Sequence, residues 1–207
     1  MAVSFDLFGT LVEVTPPDDP AGAVANALEG RGVIVPSNWD EVYTTSHIET
    51  PTGRELSLVD HVTAGLNRRG DGPSKRVIRA ALLDAFTTAV RTRAGAQTTV
   101  EDVAEHEPVG ILSNCSVPGL VPEILARSAF EPDTFDAVVS SVECGWRKPD
   151  ERAFREITNR LDAPLSELIH VGDTPETDGG ATDAGATAIL LASVPLSDVP
   201  SKLEESK

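Results

Sequence analysis

Residues 2–12 read AVSFDLFGTLV, and the interpretation of the whole chain turns on them. Ala2 to Phe5 is an apolar run of strand length, Asp6 falls where that strand ends, and Gly9-Thr10 supplies the turn chemistry that admits close backbone approach to a ligand. In an open parallel sheet, ligands bind outside the carboxyl ends of the strands, so an acid at this place faces a crevice rather than the core. Asp6 is therefore either a nucleophilic carboxylate or an ordinary turn aspartate. Three later stretches bear on the choice: ILSNCS at 111–116, GWRKPD at 145–150 and HVGDTPETD at 170–178.

Outward from the first strand, VTPPDDP at residues 14–20 is a Pro-rich link, and helical patterns then run without a strand until about residue 108. The expected helices cover about Ala21 to Glu29, Trp39 to His47, Leu58 to Arg68 and Lys75 to Arg91. The last places Val77, Ile78, Ala81, Leu82, Phe86 and Val90 on one face. Residues 16–92 thus read as an inserted helical cap, leaving 1–15 and 93–207 as the core. From Thr98 the period changes. After a short helix at about Thr99 to Glu105, strands Val109 to Ser113, Ala137 to Ser141, Leu168 to Gly172 and Thr187 to Leu191 alternate with helices. Those helices lie near Val121 to Arg127, Glu151 to Leu161 and Thr177 to Ala184. Such alternation predicts an α/β fold: a five-stranded parallel Rossmann-like sheet with helices on both faces and right-handed crossovers, plus the inserted α-helical cap.

Composition narrows the function. The 207 residues suffice for one domain with a full core and a smaller inserted unit. Thirty-three acidic against 17 basic residues give a net charge of -16, which argues against nucleic-acid or anionic-membrane partners. Only four of the basic residues are lysines, and acid excess with scarce lysine suits a hydrated, halophilic surface in a salt-rich cytoplasm. Ala186 to Ala192 is the most apolar stretch and is far too short to span a bilayer. A strand begins at once, leaving no room for a signal peptide, so a cytoplasmic protein is expected, a monomer or homodimer acting on a small anionic molecule. Cys115 and Cys144 lack disulfide or metal-ligand spacing and read as small buried hydrophobes. His47, His61, His106 and His170 are scattered, and His170, between Ile169 and Val171, reads as a satisfied structural histidine.

Placed on these elements, the chemistry-bearing residues converge. Asp6 ends the first strand, Ser113 and Asn114 the second, Lys148 follows the third in a loop, and Asp173 ends the fourth. Ser113 offers a hydroxyl, and the backbone N–H groups after it offer donors, for an anionic oxygen. Lys148 can neutralise a nucleophilic carboxylate and a substrate anion together. Asp6, Asp173 and Asp178 in one crevice repel unless a cation lies between them, and an oxygen-rich site with room for a phosphate suits Mg²⁺. Taken singly, Ser113-Asn114, Asp150 and Asp178 also read as helix caps, and Gly172-Asp173 as a strand-end turn. Their joint occurrence at successive strand ends favours the functional reading.

With these four stretches the chain resembles the haloacid dehalogenase-like hydrolase superfamily, FDLFGTLV, ILSNCS, GWRKPD and HVGDTPETD matching its four motifs in order. The resemblance implies Asp6 as nucleophile, Thr10 as its turn-stabilising partner, Ser113 as ligand of a substrate oxygen and Lys148 as charge clamp. It implies Asp6, Asp173, Asp178 and the Phe8 carbonyl around Mg²⁺, with Ser113, Asn114, Phe8 and Gly9 lining the substrate. One departure matters most. Phosphatases of the superfamily usually carry a general-acid Asp two residues after the nucleophile, and here that residue is Phe8. An aromatic residue at this place resembles the 2-haloacid dehalogenases, whose halide leaves without a proton. Against this, Asp40 lies near the position of their carboxylate-binding cap arginine, with Arg31 and Arg54 as possible substitutes, and Asp173 is an acid they drop. The expectation is Mg²⁺-dependent phosphohydrolase chemistry. The alternatives are carbon–halogen hydrolysis, a phosphonate-cleaving reaction through a Schiff base on Lys75, and a catalytically weakened binding or regulatory protein.

Overall fold

A computed structural model describes residues 1–67 and 72–205. Along the chain, β1 (Ala2–Phe5) and β2 (Val12–Val14) precede α1 (Pro20–Glu29), α2 (Trp39–Thr44), α3 (Leu58–Leu66) and α4 (Lys75–Phe86). Then come β3 (Val90–Thr92), α5 (Ala96–Ala104), β4 (Val109–Ser113), α6 (Leu120–Leu125), β5 (Ala137–Ser140) and α7 (Ser141–Cys144). The chain closes with α8 (Glu151–Arg160), β6 (Leu168–Gly172), α9 (Gly180–Asp183), β7 (Thr187–Leu190) and α10 (Val199–Glu204). Among the described residues no helix is long and apolar enough to cross a membrane.

Five strands form one sheet in the order β5-β4-β1-β6-β7, every neighbouring pair parallel. The order puts β1 at the centre, so Asp6 emerges in the middle of the sheet edge with β4 and β6 on its flanks. Successive side chains of a strand point to opposite faces. Val3, Phe5, Val109, Ile111, Ile169 and Val171 accordingly pack on one side with Val100 of α5 and Val121 and Ile124 of α6. Ala2, Leu112, Val139 and Leu168 pack on the other with Ala153, Phe154 and Ile157 of α8. Phe154 and Ile157 are wholly buried, each worth roughly 1.5–3 kcal/mol relative to exposure. α8 starts where it does because the Asp150 side chain accepts from the Arg152 N–H, closing an open helix end.

The insertion differs from expectation at its ends. β2 and β3 pair antiparallel, Val12 opposite Thr92 and Val14 opposite Val90, so a two-stranded ribbon brackets α1–α4 where no strand was expected. α4 stops at Phe86 rather than Arg91, since Val90, which continues its apolar face, is taken into the ribbon. α2 ends at Thr44 rather than His47. There the Thr44 and Thr45 hydroxyls donate back to the Asp40 and Glu41 carbonyls, and His47 Nε2 lies 2.8 Å from the Val42 carbonyl. The helix expected from Thr177 begins only at Gly180, because Thr174 to Asp178 is occupied by a turn that aims the Asp178 carboxylate inward. Arg68, the expected end of α3, lies outside the described residues.

Candidate active site

Asp6 leaves β1 with its N–H still donating to the Val171 carbonyl at 2.8 Å, so the strand ladder fixes where its carboxylate emerges. The carboxylate is only 7% exposed. Lys148, 1% exposed, reaches it from the loop ahead of α8: Nζ donates to Asp6 Oδ1 at 2.8 Å and to Asp178 Oδ1 at 2.6 Å. Asp173, half-buried at the end of β6, accepts from the Thr10 hydroxyl at 3.3 Å. Oxygens of Asp6, Asp173 and Asp178 lie within 4.8 Å of one another.

Two glycines make this convergence possible. Gly9 sits at φ +86°, and a Cβ there would come 2.4 Å from Asp173 Oδ2, so the loop after Asp6 can lie against Asp173 only without a side chain. A Cβ on Gly172 would fall 2.1 Å from Asp178 Cγ, so Asp178 folds back beside the strand end for the same reason.

Asn114 ties two loops together. Its Nδ2 donates to the Lys148 carbonyl at 2.9 Å and its Oδ1 accepts from the Lys148 N–H at 2.8 Å. Both sides of the amide thus hold the lysine's main chain. The adjacent Ser113 hydroxyl is buried and has no hydrogen-bond partner among the described residues. Leaving a buried hydroxyl unmatched costs about 1–3 kcal/mol, an arrangement that makes sense where a bound oxygen completes it. Phe8 is half-buried and packs against the core, and the carbonyl of Gly9 beside it accepts from the Arg93 guanidinium.

The charges do not balance. Three carboxyl groups cluster beside one lysine, a formal excess of two negative charges. Burial pushes the Asp6 carboxyl up to about 6; Lys148 pulls it back, while Asp178 and Asp173 add to the rise. Asp178 moves the other way: although burial opposes it, the His170 hydrogen bond and the Lys148 charge hold it well below the usual range. Burial, reinforced by Lys148, lowers the His170 ring to about 4 and keeps it neutral. A divalent cation would restore balance, and the donors present, oxygens throughout, fit Mg²⁺.

The insertion grips the loops that carry these groups, through α3, α4 and the segment between α2 and α3. The Leu58 N–H donates to Ser116 O at 2.8 Å, Glu55 N–H to Gly145 O at 3.1 Å and Arg147 N–H to Gly53 O at 3.0 Å. Arg79 Nε donates to Pro118 O at 2.9 Å. Ser141 Oγ donates to Glu55 Oε2 at 2.7 Å while accepting from the Cys115 N–H at 2.8 Å. Arg54 and Arg152 guanidinium carbons stand 4.5 and 3.2 Å from the Trp146 ring centre. Of the other insertion cations weighed from sequence, Arg31 pairs with Asp84, and Lys75, largely exposed, pairs with Asp60.

Asp6, Thr10, Lys148, Asp173 and Asp178 therefore come together as the strand ends required. Glu55 and the second use of Asn114 were not anticipated, since Glu55 meets Ser141 86 positions along the chain and no local pattern signals that. His170, expected to be a satisfied structural histidine, has Ser4 at its Nδ1 and in addition touches both Lys148 and Asp178.

The family profile of haloacid dehalogenase-like hydrolases matches residues 1–185, and the chain belongs to that family. No protein of curated function matches its sequence. A 2-haloacid dehalogenase from Pseudomonas syringae pv. Tomato DC3000 is 20% identical and superposes with a TM-score of 0.66, covering 100% of this chain and 99% of its own. The L-2-haloacid dehalogenase from Xanthobacter autotrophicus, solved with chloropropionic acid covalently bound, is 20% identical with a TM-score of 0.61 and coverage of 100% and 99%. An enzyme of the same family from Bacteroides thetaiotaomicron, solved with magnesium and inorganic phosphate, is 16% identical with a TM-score of 0.60 and coverage of 91% and 92%. At such identities the likeness concerns the fold.

Proposed function

We propose that the protein is a Mg²⁺-dependent phosphohydrolase that cleaves a small phosphorylated metabolite through an aspartyl phosphate on Asp6. One observation carries this reading: oxygens of Asp6, Asp173 and Asp178 lie within 4.8 Å of one another, with Lys148 paired to Asp6 and Asp178. A haloacid carboxylate brought to this crevice would add to an existing excess of negative charge, whereas a phosphate accompanied by Mg²⁺ would not. Asp6, Asp173, Asp178 and the Phe8 carbonyl would hold the ion, which supplies polarisation of a phosphoryl oxygen. Asp6 attacks phosphorus as the bond to the leaving oxygen breaks, the leaving group departing with that electron pair. Ser113 donates to an oxygen that gains charge while the positive charge of Lys148 offsets it, and water then attacks the aspartyl phosphate, releasing phosphate and regenerating the carboxylate. Thr10 steadies Asp173, and Asn114 keeps Lys148 in place. Residues 16–92 serve as the cap over the crevice, and the acidic surface suits a cytoplasm of high ionic strength.

Phe8 supports the second reading, carbon–halogen hydrolysis, because a halide needs no proton on departure. The fold hosts both chemistries and does not decide between them. Under the phosphohydrolase reading the absence of a leaving-group acid favours substrates with good leaving groups, such as acyl phosphates. Phe8→Asp restores a carboxyl two residues beyond Asp6 and should raise phosphomonoester turnover, by up to about 10²-fold of the 10²- to 10⁴-fold a positioned acid contributes. A dehalogenase would instead lose haloacid turnover in this variant. Assays of both substrate classes, with thermal melting to confirm folding, separate the two.

A pH dependence follows from Asp6. Because its carboxyl is raised to about 6, protons compete with the cation below that value. Mg²⁺ affinity by titration calorimetry should be flat above about pH 7 and fall as pH drops through about 6, with proton release on binding near the lower value. Affinity unchanged between pH 5 and 8 would remove Asp6 from the cation site.

A further inference from the structure

His170 lies mid-strand in β6, wholly buried and directly opposite Ser4 of β1. Its ring is held on two sides: Nδ1 is 2.8 Å from Ser4 Oγ, and Phe154 of α8 meets it edge-on at 5.4 Å between ring centres. The remaining nitrogen, Nε2, faces the active site, 3.3 Å from Lys148 Nζ and 3.1 Å from Asp178 Oδ1.

An ammonium carries three hydrogens. Lys148 directs two to Asp6 Oδ1 and Asp178 Oδ1, and Nε2 is the third neighbour within reach. We infer that His170 is a positioning residue: anchored by Ser4, its Nε2 fixes the Lys148 ammonium between Asp6 and Asp178. Lysine has a flexible four-carbon stem, so two carboxylates alone leave its head free to follow whichever keeps its charge. During the proposed reaction Asp6 loses its charge as an ester, and an acceptor that never changes charge keeps the ammonium in place.

The ring suits this task. A neutral imidazole has one proton, so Nε2 either donates to Asp178 or accepts from Lys148, and the Ser4 hydroxyl can take the complementary role at Nδ1 in either case. When a cation draws on the Asp178 carboxylate, Nε2 is available to the lysine.

The inference rests on the phosphohydrolase reading only where turnover is concerned. His170→Gln keeps an amide that extends towards the Nε2 position, whereas His170→Asn reaches only as far as Nδ1. In ¹H–¹⁵N spectra of the lysine ammonium groups, buried Lys148 should give a slowly exchanging signal, unlike the exposed Lys75 and Lys202. That signal should persist in His170→Gln and be lost or shifted in folded His170→Asn. With acetyl phosphate and Mg²⁺, His170→Asn should lower kcat on the order of 10-fold with KM nearly unchanged, and His170→Gln should recover most of the loss. Ser4→Ala, which loosens the ring without touching Nε2, should fall between them. A Lys148 signal at its wild-type position in folded His170→Asn would overturn the inference, as would equal losses in both His170 variants that simply follow their melting temperatures. Should the wild type fail to turn over acetyl phosphate, the functional reading falls, and the ammonium spectra still decide the role of His170.

Discussion

Asp6→Asn is expected to abolish turnover, by on the order of 10⁴-fold or more, while the protein folds as before. An amide has the shape of the carboxylate and its oxygen can still accept from Lys148 Nζ, 2.8 Å away in the native site. What is lost is the nucleophile. The stability expectation points the other way, because burial, with Asp178 and Asp173 adding to it against the pull of Lys148, raises the Asp6 carboxyl to about 6. Removing that charge relieves repulsion at neutral pH, so the melting temperature of the Mg²⁺-free variant should equal or exceed that of the wild type. A folded variant with wild-type turnover would exclude Asp6 as nucleophile. One with reduced stability and partial activity would make it a structural aspartate.

Lys148→Met should be the most damaging change to the fold itself. Lys148 is 1% exposed and donates to two carboxylates, and removing one partner of a buried ion pair costs roughly 3–5 kcal/mol, because the other partner stays uncompensated. Methionine fills much of the space of the lysine stem, which isolates the charge. In urea denaturation without Mg²⁺ at neutral pH the variant should lose a stability of this order. Added Mg²⁺ should return part of it, since a cation among Asp6, Asp173 and Asp178 takes over some of the neutralisation. Turnover should stay low even with Mg²⁺, by about 10²- to 10³-fold, for want of the charge on the phosphoryl oxygens. Undiminished stability in Mg²⁺-free buffer would mean that the acids hold protons rather than Lys148.

Much of the core was legible because its signals are local. β1, β4, β5, β6 and β7 are short apolar runs between turn residues, and their alternation with helices determines a parallel sheet whose carboxyl ends carry Asp6, Ser113 and Asp173. Asp178 was legible because it follows the end of β6 closely, and Lys148 because it precedes Pro149-Asp150 in the loop between β5 and α8. The ribbon of β2 and β3 was not. Each strand has three residues, the partners are 78 positions apart, as in the pairing of Glu13 with Arg91, and Val90 prolongs the apolar face of α4. Only the pairing itself distinguishes a last helical turn from a short strand. His170 shows a related limit. Its apolar neighbours mark a buried strand position, but the parallel register that sets it against Ser4 and points it at Lys148 is a property of the assembled sheet. Glu55 belongs with it, a carboxylate whose meaning appears only when the insertion folds onto the segment after β5.

The most direct measurement is rapid-quench mass spectrometry of the protein mixed with acetyl phosphate in acid-stopped single turnovers, with and without Mg²⁺. If Asp6 is the nucleophile of a Mg²⁺-dependent phosphohydrolase, the peptide containing Asp6 gains one phosphoryl group within the first turnover, only when Mg²⁺ is present, and Asp6→Asn gains none. If that peptide stays unmodified while the same protein, mixed with 2-chloropropionate, gains an ester on Asp6 in the absence of Mg²⁺, the phosphohydrolase assignment is contradicted and carbon–halogen hydrolysis takes its place.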